Sequence, residues 1–333
     1  MESNEQITPQ VTFTNEPKLS DQEEDKTFNE VRLSLVPHIK KFISTHELFK
    51  SESVHVTFAT RGISSLISII ETSVDKIVLK IPLNKEYGRG ESQFLTAWEK
   101  VGVPVPHVIE TGVINNHEYT LMEYVNAPIL SEKYAKEELI EKGLYHEMGQ
   151  TLKKMHTAEA QGYGRVIEGR AEFTTFRDWI DGEDMKCRVK YVSERALLDE
   201  QHGAFEEIRD VLIHHAQTNP ESSFCHDDFS TANIFATEPI TVFDPNPRFN
   251  NGYIDFGRSL MIHIANGASP ESKAHFIEGY FGESVYDERV LHAAVALASY
   301  MKFPYWHKII SLRGEMIVRI QTYLKDHRDL LNR

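Results

Sequence analysis

Apolar positions along the chain change their period near residue 125. Over residues 28–48, Val31, Leu33, Leu35, Val36, Ile39, Phe42 and Ile43 recur at three- and four-residue intervals. That spacing predicts an amphipathic helix, bent or restarted at Pro37. The pattern then turns to alternation. Residues 54–58 alternate, 66–71 are rich in β-branched side chains, and 76–81 close at Pro82, which predicts three strands. A short loop, Thr60-Arg61-Gly62-Ile63-Ser64-Ser65, joins the first two. A helix is expected over 90–100, ending at Gly102, and further strands over 107–113 and 119–124. Five strands with one inserted helix make a small mixed β-rich lobe at 28–124.

After Val125 the helical period dominates. Helices are expected over 131–157, 176–184, 190–218, 254–266 and 272–281, and from 287 to the end, with Gly162-Tyr163-Gly164 as a turn. Only residues 224–260 interrupt this lobe, 125–333, with strand-like segments. The whole reads as an α+β chain of two lobes. Residues 1–27 show little periodicity and read as a mobile acidic tail.

Charge changes this picture only a little. The chain of 333 residues has a formal charge of −14, which argues against nucleic acid or an anionic membrane as the main partner. A cationic small-molecule substrate is compatible with it. Eight of the acids fall within residues 1–30, so the folded body is less acidic than the total suggests. No run of about 18 apolar residues is present, and the N-terminus is too polar for a secretory leader. Two cysteines, Cys187 and Cys225, make neither a disulfide framework nor a zinc motif, as expected of a cytoplasmic protein. Oligomeric state is not legible.

Candidate chemistry concentrates in FCHDDFSTANIFATEPITVFDPNP, residues 224–247. His226, Asp228 and Asn233 lie within eight residues, and the apolar run 240–243 delivers Asp244 into a Pro-bounded turn. Two carboxylates and an amide on either side of a hairpin can hold Mg²⁺ and orient a hydroxyl, as phosphoryl transfer requires. Asp228 is the candidate for the hydroxyl, with Asn233 and Asp244 as metal ligands. The small lobe offers a cation, Lys80, for nucleotide phosphates, and Glu91 to hold it. Gly62, Ser64 and Ser65 lie in a loop that can cradle phosphate oxygens. Residues 121–125, with Glu123 and Val125, suit a purine slot read by backbone groups.

Taken singly, each Asp or Asn in a turn serves ordinary turn chemistry. Their order is what carries information. A Gly-containing loop, lysine, glutamate, apolar hinge, His-x-Asp-x4-Asn and then Asp is the protein-kinase-like order. In detail the chain resembles the aminoglycoside phosphotransferase, or choline-kinase-like, family. CHDDFSTANIF stands where that family shows a His-Gly-Asp-x4-Asn loop, and VFDPNP where it shows an Asp followed by a small residue or Pro. GESQFLTAWEKVGVPVPHVIETG and HEMGQTLKKMHT are similar to its helix-to-strand segment and its first large-lobe helix.

The resemblance spans roughly residues 50–300. It implies a kinase-like two-lobe fold and γ-phosphoryl transfer from ATP or GTP, with Mg²⁺, to a small-molecule hydroxyl. It also implies Asp228 as catalytic base, Asn233 and Asp244 on Mg²⁺, Lys80 on the α/β-phosphates paired with Glu91, His226 bracing the loop, and Asp255 as its buried anchor. Asp227 departs from the family's Gly, and an extra carboxylate there could disturb metal binding or meet a cationic acceptor. The acidic turn 181–184 offers such an acceptor a second place. Two rivals stay open: a catalytically silent kinase-like binding module, and an HD-type phosphohydrolase using His226-Asp227 on a metal.

Overall fold

The computed structural model describes residues 10–18, 28–49, 53–59, 64–84, 89–198, 205–308 and 310–331. They fall into two compact units, residues 1–96 with 106–126, and 97–105 with 127–333.

In the first unit a six-stranded sheet runs in the order β1-β2-β3-β4-β6-β5. Its strands are β1 (Val11–Thr14), β2 (Val54–Phe58), β3 (Ser65–Glu71), β4 (Lys76–Pro82), β5 (Val108–Ile114) and β6 (His117–Glu123). All neighbours from β2 to β5 are antiparallel, while β1 pairs parallel to β2 with Val11 opposite Val54. The expected tail therefore contributes an edge strand. Val11 and Phe13 point to the same side and pack on the apolar cluster, an alternation too brief to stand out in so polar a stretch. Helix α1 (Asn29–Thr45) runs through Pro37 and buries Leu35, Val36, Ile39 and Ile43 in that cluster, beside Val56, Phe58, Leu79 and Leu121. Helix α2 (Glu91–Lys100) follows β4 and crosses the boundary between the units.

The second unit is mostly helical. The expected long helix over 131–157 is three pieces, α3 (Leu130–Lys133), α4 (Lys136–Glu141) and α5 (Leu144–Met155), broken at Tyr134-Ala135 and at Gly143, whose φ is +67°. The expected turn at 162–164 is instead part of a sheet. Strands β7 (Glu159–Ala160), β8 (Tyr163–Ile167) and β9 (Arg170–Phe173) join β10 (Ser222–Cys225) and β13 (Arg248–Asn250) in the order β7-β10-β13-β8-β9. Helices α6 (Phe176–Ile180), α7 (Glu183–Glu194) and α8 (Phe205–Thr218) lie between β9 and β10. Strands β11 (Ile234–Phe235) and β12 (Thr241–Val242) form the expected small hairpin, with Ile234 opposite Val242.

Helices α9 (Gly252–Ala265), α10 (Pro270–Phe281), α11 (Glu288–Lys308) and α12 (Ile310–Asp326) complete the unit. Residues 254–265 and most of α11 are buried, which makes these two helices the centre of the core. Helices α5 and α10 meet backbone to backbone. A Cβ on Gly149 would lie 2.3 Å from Phe276 O, and one on Gly279 would lie 2.1 Å from His146 O. Only glycine fits either side of that crossing. Among the described residues no helix is long and apolar enough to cross a membrane.

Candidate active site

In the first unit, Lys80 lies in β4 between Ile67 and Thr120 on the neighbouring strands. It is buried, and its Nζ is 2.6 Å from Oε1 of Glu91, the first residue of α2. A carboxylate in the first turn of a helix is itself stabilised by the exposed N–H groups there. Ser64 is exposed and its carbonyl accepts the Leu83 N–H at 2.8 Å, while Ser65 opens β3 opposite Pro82. Gly62 lies outside the described residues. At the far end of β6, the Glu123 N–H is donated to His107 O (2.9 Å) and the Tyr124 N–H to Lys76 O (3.3 Å). Val125 follows, half-buried.

In the second unit, one short stretch assembles Asp228, Asn233 and Asp244. Strand β10 ends at Cys225, the loop turns through a 3₁₀ segment at Thr231–Asn233, and the β11–β12 hairpin returns the chain. Asn233 Nδ2 donates to the Asp228 carbonyl (2.8 Å) and to Asp228 Oδ2 (3.2 Å). With both N–H directions used, Oδ1 is the atom the amide presents. The Phe243 N–H donates to Asn233 O at 3.1 Å, and the rings of Phe235 and Phe243 stack at 4.1 Å. The hairpin register thereby sets Asp244 next to Asn233. An amide oxygen beside a half-buried carboxylate is a donor set of the hard, all-oxygen kind that suits Mg²⁺. Asp244 sits at φ +55°, a conformation that Asp tolerates better than most side chains.

The inner side of this loop is sealed. Asp255 in α9 accepts the N–H of His226 (2.7 Å) on Oδ2 and that of Asp227 (2.8 Å) on Oδ1. His156 Nε2 lies 3.0 Å from Oδ2, and its Nδ1 is 2.7 Å from the Tyr280 hydroxyl. Burial acts to raise the Asp255 carboxyl, but the His156 hydrogen bond and charge outweigh it, and the group lies below its ordinary value. His226 is fully buried. Its ring stacks on Trp98 at 5.7 Å, and its Nε2 is 3.0 Å from Phe243 O, immediately before Asp244. Burial pushes its pKa down, so a neutral ring donates Nε2–H to that carbonyl. These are the contacts of a brace between loop and hairpin rather than of a group that meets substrate. His156, Cys225 and Asp255 cluster as metal ligands can, yet each is already hydrogen-bonded to protein, Cys225 to Asn250 O at 3.4 Å.

Asp227 belongs to this inner side as well. Its φ is +59°, where a glycine would sit without strain. The carboxylate takes Arg248 Nε (2.7 Å) and Asn246 Nδ2 (2.8 Å) on Oδ2, and Arg258 Nη1 (2.6 Å) on Oδ1. Burial pushes the carboxyl up, and the guanidiniums of Arg258 and Arg248 pull against it. So the Asp227 carboxylate is committed to protein partners, and with His226 buried an HD-type metal pair has no site here. Two acids of the acidic turn are also paired, while Glu183 is exposed. Arg209 grips Asp181 with two bonds, one of 2.9 Å, and Arg188 holds Asp184 at 2.9 Å.

Sequence reasoning missed one residue. Lys302 Nζ, from α11, lies 3.1 Å from Asp228 Oδ1. Desolvation acts to raise Asp228, but Lys302 and then Arg258 overcome it and hold the carboxyl at about 2. Nothing in the sequence marks a lysine 74 residues downstream, inside a helix, as a neighbour of Asp228.

Against known proteins, residues 55–289 match the model of the phosphotransferase enzyme family. No curated protein matches the chain by sequence. Among solved structures the chain is similar to aminoglycoside phosphotransferase APH(4)-Ia, at 16% identity and TM-score 0.61 over 89% of this chain and 98% of that one. It is similar to a thermostable mutant of the same protein in ternary complex with AMP-PNP and hygromycin B, also at 16% and 0.61, over 88% and 97%. A choline/ethanolamine kinase family protein from Mesorhizobium loti gives 14% and 0.52 over 89% and 94%. At such identities the likeness is one of fold: a kinase-like fold with a β-rich N-lobe and a helical C-lobe.

Proposed function

Because the chain belongs to the phosphotransferase enzyme family, we propose that it transfers the γ-phosphoryl group of ATP or GTP to a hydroxyl of a small molecule. The observation that carries this reading is the hydrogen-bonded set of Asp228 and Asn233, with Asp244 placed beside them by the hairpin. The hydroxyl oxygen forms its bond to the γ-phosphorus as the bond from that phosphorus to the β,γ-bridging oxygen breaks. Nucleoside diphosphate leaves, and the hydroxyl proton passes to the Asp228 carboxylate. Asn233 Oδ1 and Asp244 are the residues that would hold Mg²⁺, whose chemistry is to neutralise phosphate charge. Lys80, fixed by Glu91, is the cation for the α/β-phosphates. Ser64 and Ser65, with Gly62 as a candidate from the sequence alone, would serve their oxygens, and backbone groups around Glu123 and Val125 would meet the base edge. A relative that binds AMP-PNP together with hygromycin B supports a nucleotide with a small-molecule acceptor. The free cysteines fit a reducing, cytoplasmic compartment.

The test is thermal stabilisation by ATP or GTP with and without Mg²⁺, followed by nucleotide consumption over a panel of acceptors. Metal-dependent stabilisation and acceptor-dependent consumption are expected, with both the stabilisation and its metal dependence lost in Asp244→Ala. Stabilisation without turnover on any acceptor would instead describe a silent nucleotide-binding module.

A further inference from the structure

We infer that Lys302 selects the acceptor, and that the acceptor carries an anionic group, a carboxylate or phosphate, close to the hydroxyl it presents to Asp228. This rests on the phosphotransferase reading and makes its substrate class specific.

Most of the acids that the sequence offers to a cation have counter-charges within the second unit, while Glu183 of the acidic turn stays exposed. Asp227 is sealed between Arg248 and Arg258, Asp181 is held by Arg209, and Asp184 by Arg188. Asp228, the residue proposed to meet the hydroxyl, is half-buried, and its charge is answered by Lys302 at 3.1 Å. Lys302 is 20% exposed in its side chain, and Asp228 is its one hydrogen-bond partner among the described residues. It is also firmly placed. The turn of α11 that carries it is tied to α7 by Arg188 Nη1, which donates to Met301 O at 2.6 Å.

A hydroxyl hydrogen-bonded to Asp228 brings the substituent on its neighbouring carbon within about 5–6 Å of the Lys302 ammonium. Two like charges at that distance in a partly desolvated site weaken binding by roughly tenfold or more, and opposite charges strengthen it by as much. A vicinal amine is therefore disfavoured. A carboxylate or phosphate can take the ammonium from Asp228, leaving Oδ1 to the hydroxyl while Asn233 keeps Oδ2.

The experiment uses the full chain with Mg²⁺ and ATP or GTP, and acceptors matched in skeleton but not in charge: glycerate, glycerol and 2-amino-1,3-propanediol, then glucuronate, glucose 6-phosphate, glucose and glucosamine. The expected kcat/KM is at least tenfold higher for anionic members than for amines. Lys302→Gln should bring that ratio near one, chiefly by raising KM for the anionic members. Lys302→Glu should invert it, and Lys302→Arg should keep it. A purely structural role would lower all charge classes together, and melting temperatures show whether each variant is folded. Lys302→Gln and Lys302→Arg decide the matter if Lys302→Glu fails to fold. Preference of the wild type for amines, or an unchanged ratio in Lys302→Gln, overturns the inference and leaves the phosphotransferase reading standing. Turnover of no member of any class overturns both.

Discussion

Asp227 and Asp228 are adjacent in sequence and have opposite surroundings. The first faces inward, buried, with two guanidiniums and an amide on its oxygens. The second faces outward, half-buried, with one amide and one lysine. The same functional group becomes part of the scaffold on one side of the loop and a candidate for chemistry on the other. What separates them is the number of counter-charges and the access of solvent, neither of which a dipeptide reveals. A carboxylate fully satisfied by buried partners has nothing left for a substrate.

That contrast can be broken from either side. Asp228→Ala should lower turnover on the order of 10²–10⁴-fold while nucleotide binding and melting temperature stay near those of the wild type. Near-normal turnover in this variant would remove Asp228 from the chemistry. Asp227→Ala should do the reverse. It strands Arg248 and Arg258 as uncompensated buried charges, so denaturant unfolding should show a loss of about 3–5 kcal/mol. A stable Asp227→Ala protein with impaired turnover would mean that the roles of the neighbours are exchanged.

A third measurement asks what burial does without counter-charges. His263 and His292 are buried, with His263 Nε2 and both ring nitrogens of His292 lacking a partner among the described residues. Burial lowers both to about 4. Between the ordinary value of about 6.5 and 4, the unfolded chain binds protons that the folded chain does not, so stability falls as pH drops through that window. From pH 7 to pH 5 each histidine should cost about 2 kcal/mol, and His292→Leu should remove about that much of the slope. An unchanged slope would show that His292 is not neutral in the fold. The smallest effect concerns the thiols. Cys225 precedes the loop on its sealed side, and burial pushes its thiol well above the usual range, whereas Cys187 is exposed. Maleimide should label one cysteine per native chain and two after unfolding. Rapid labelling of both in the native protein would show that the inner side is open.

Much of this was written locally. The order Lys80, Glu91, Asp228, Asn233, Asp244 is legible because each residue is delivered by a nearby strand, helix start or hairpin. The hairpin itself follows from apolar residues 240–243 and the prolines around them. What escaped depends on distance along the chain or on conformation. Asp227 finds its arginines 21 and 31 residues on, and Lys302 reaches Asp228 from 74 residues away. Strand β8 hid behind glycines that look like a turn. Gly162 and Gly164, at φ +86° and +93°, instead let β8 pass close to β9, where a Cβ on Gly162 would meet Phe173 O at 2.4 Å. Periodicity also cannot see breaks such as Gly143 inside a continuous apolar stripe.

Strand β1 has a practical consequence. An acidic, low-complexity start is what an experimenter trims first to improve crystallisation or yield. Here Val11–Thr14 occupies the flank of β2. A version of the protein beginning at Phe28 would leave a row of unpaired backbone N–H and C=O groups on β2, and would uncover the apolar residues beneath Phe13. Such a naked edge recruits other chains. The shorter protein should be the one that aggregates, and the segment that looks most dispensable guards its solubility.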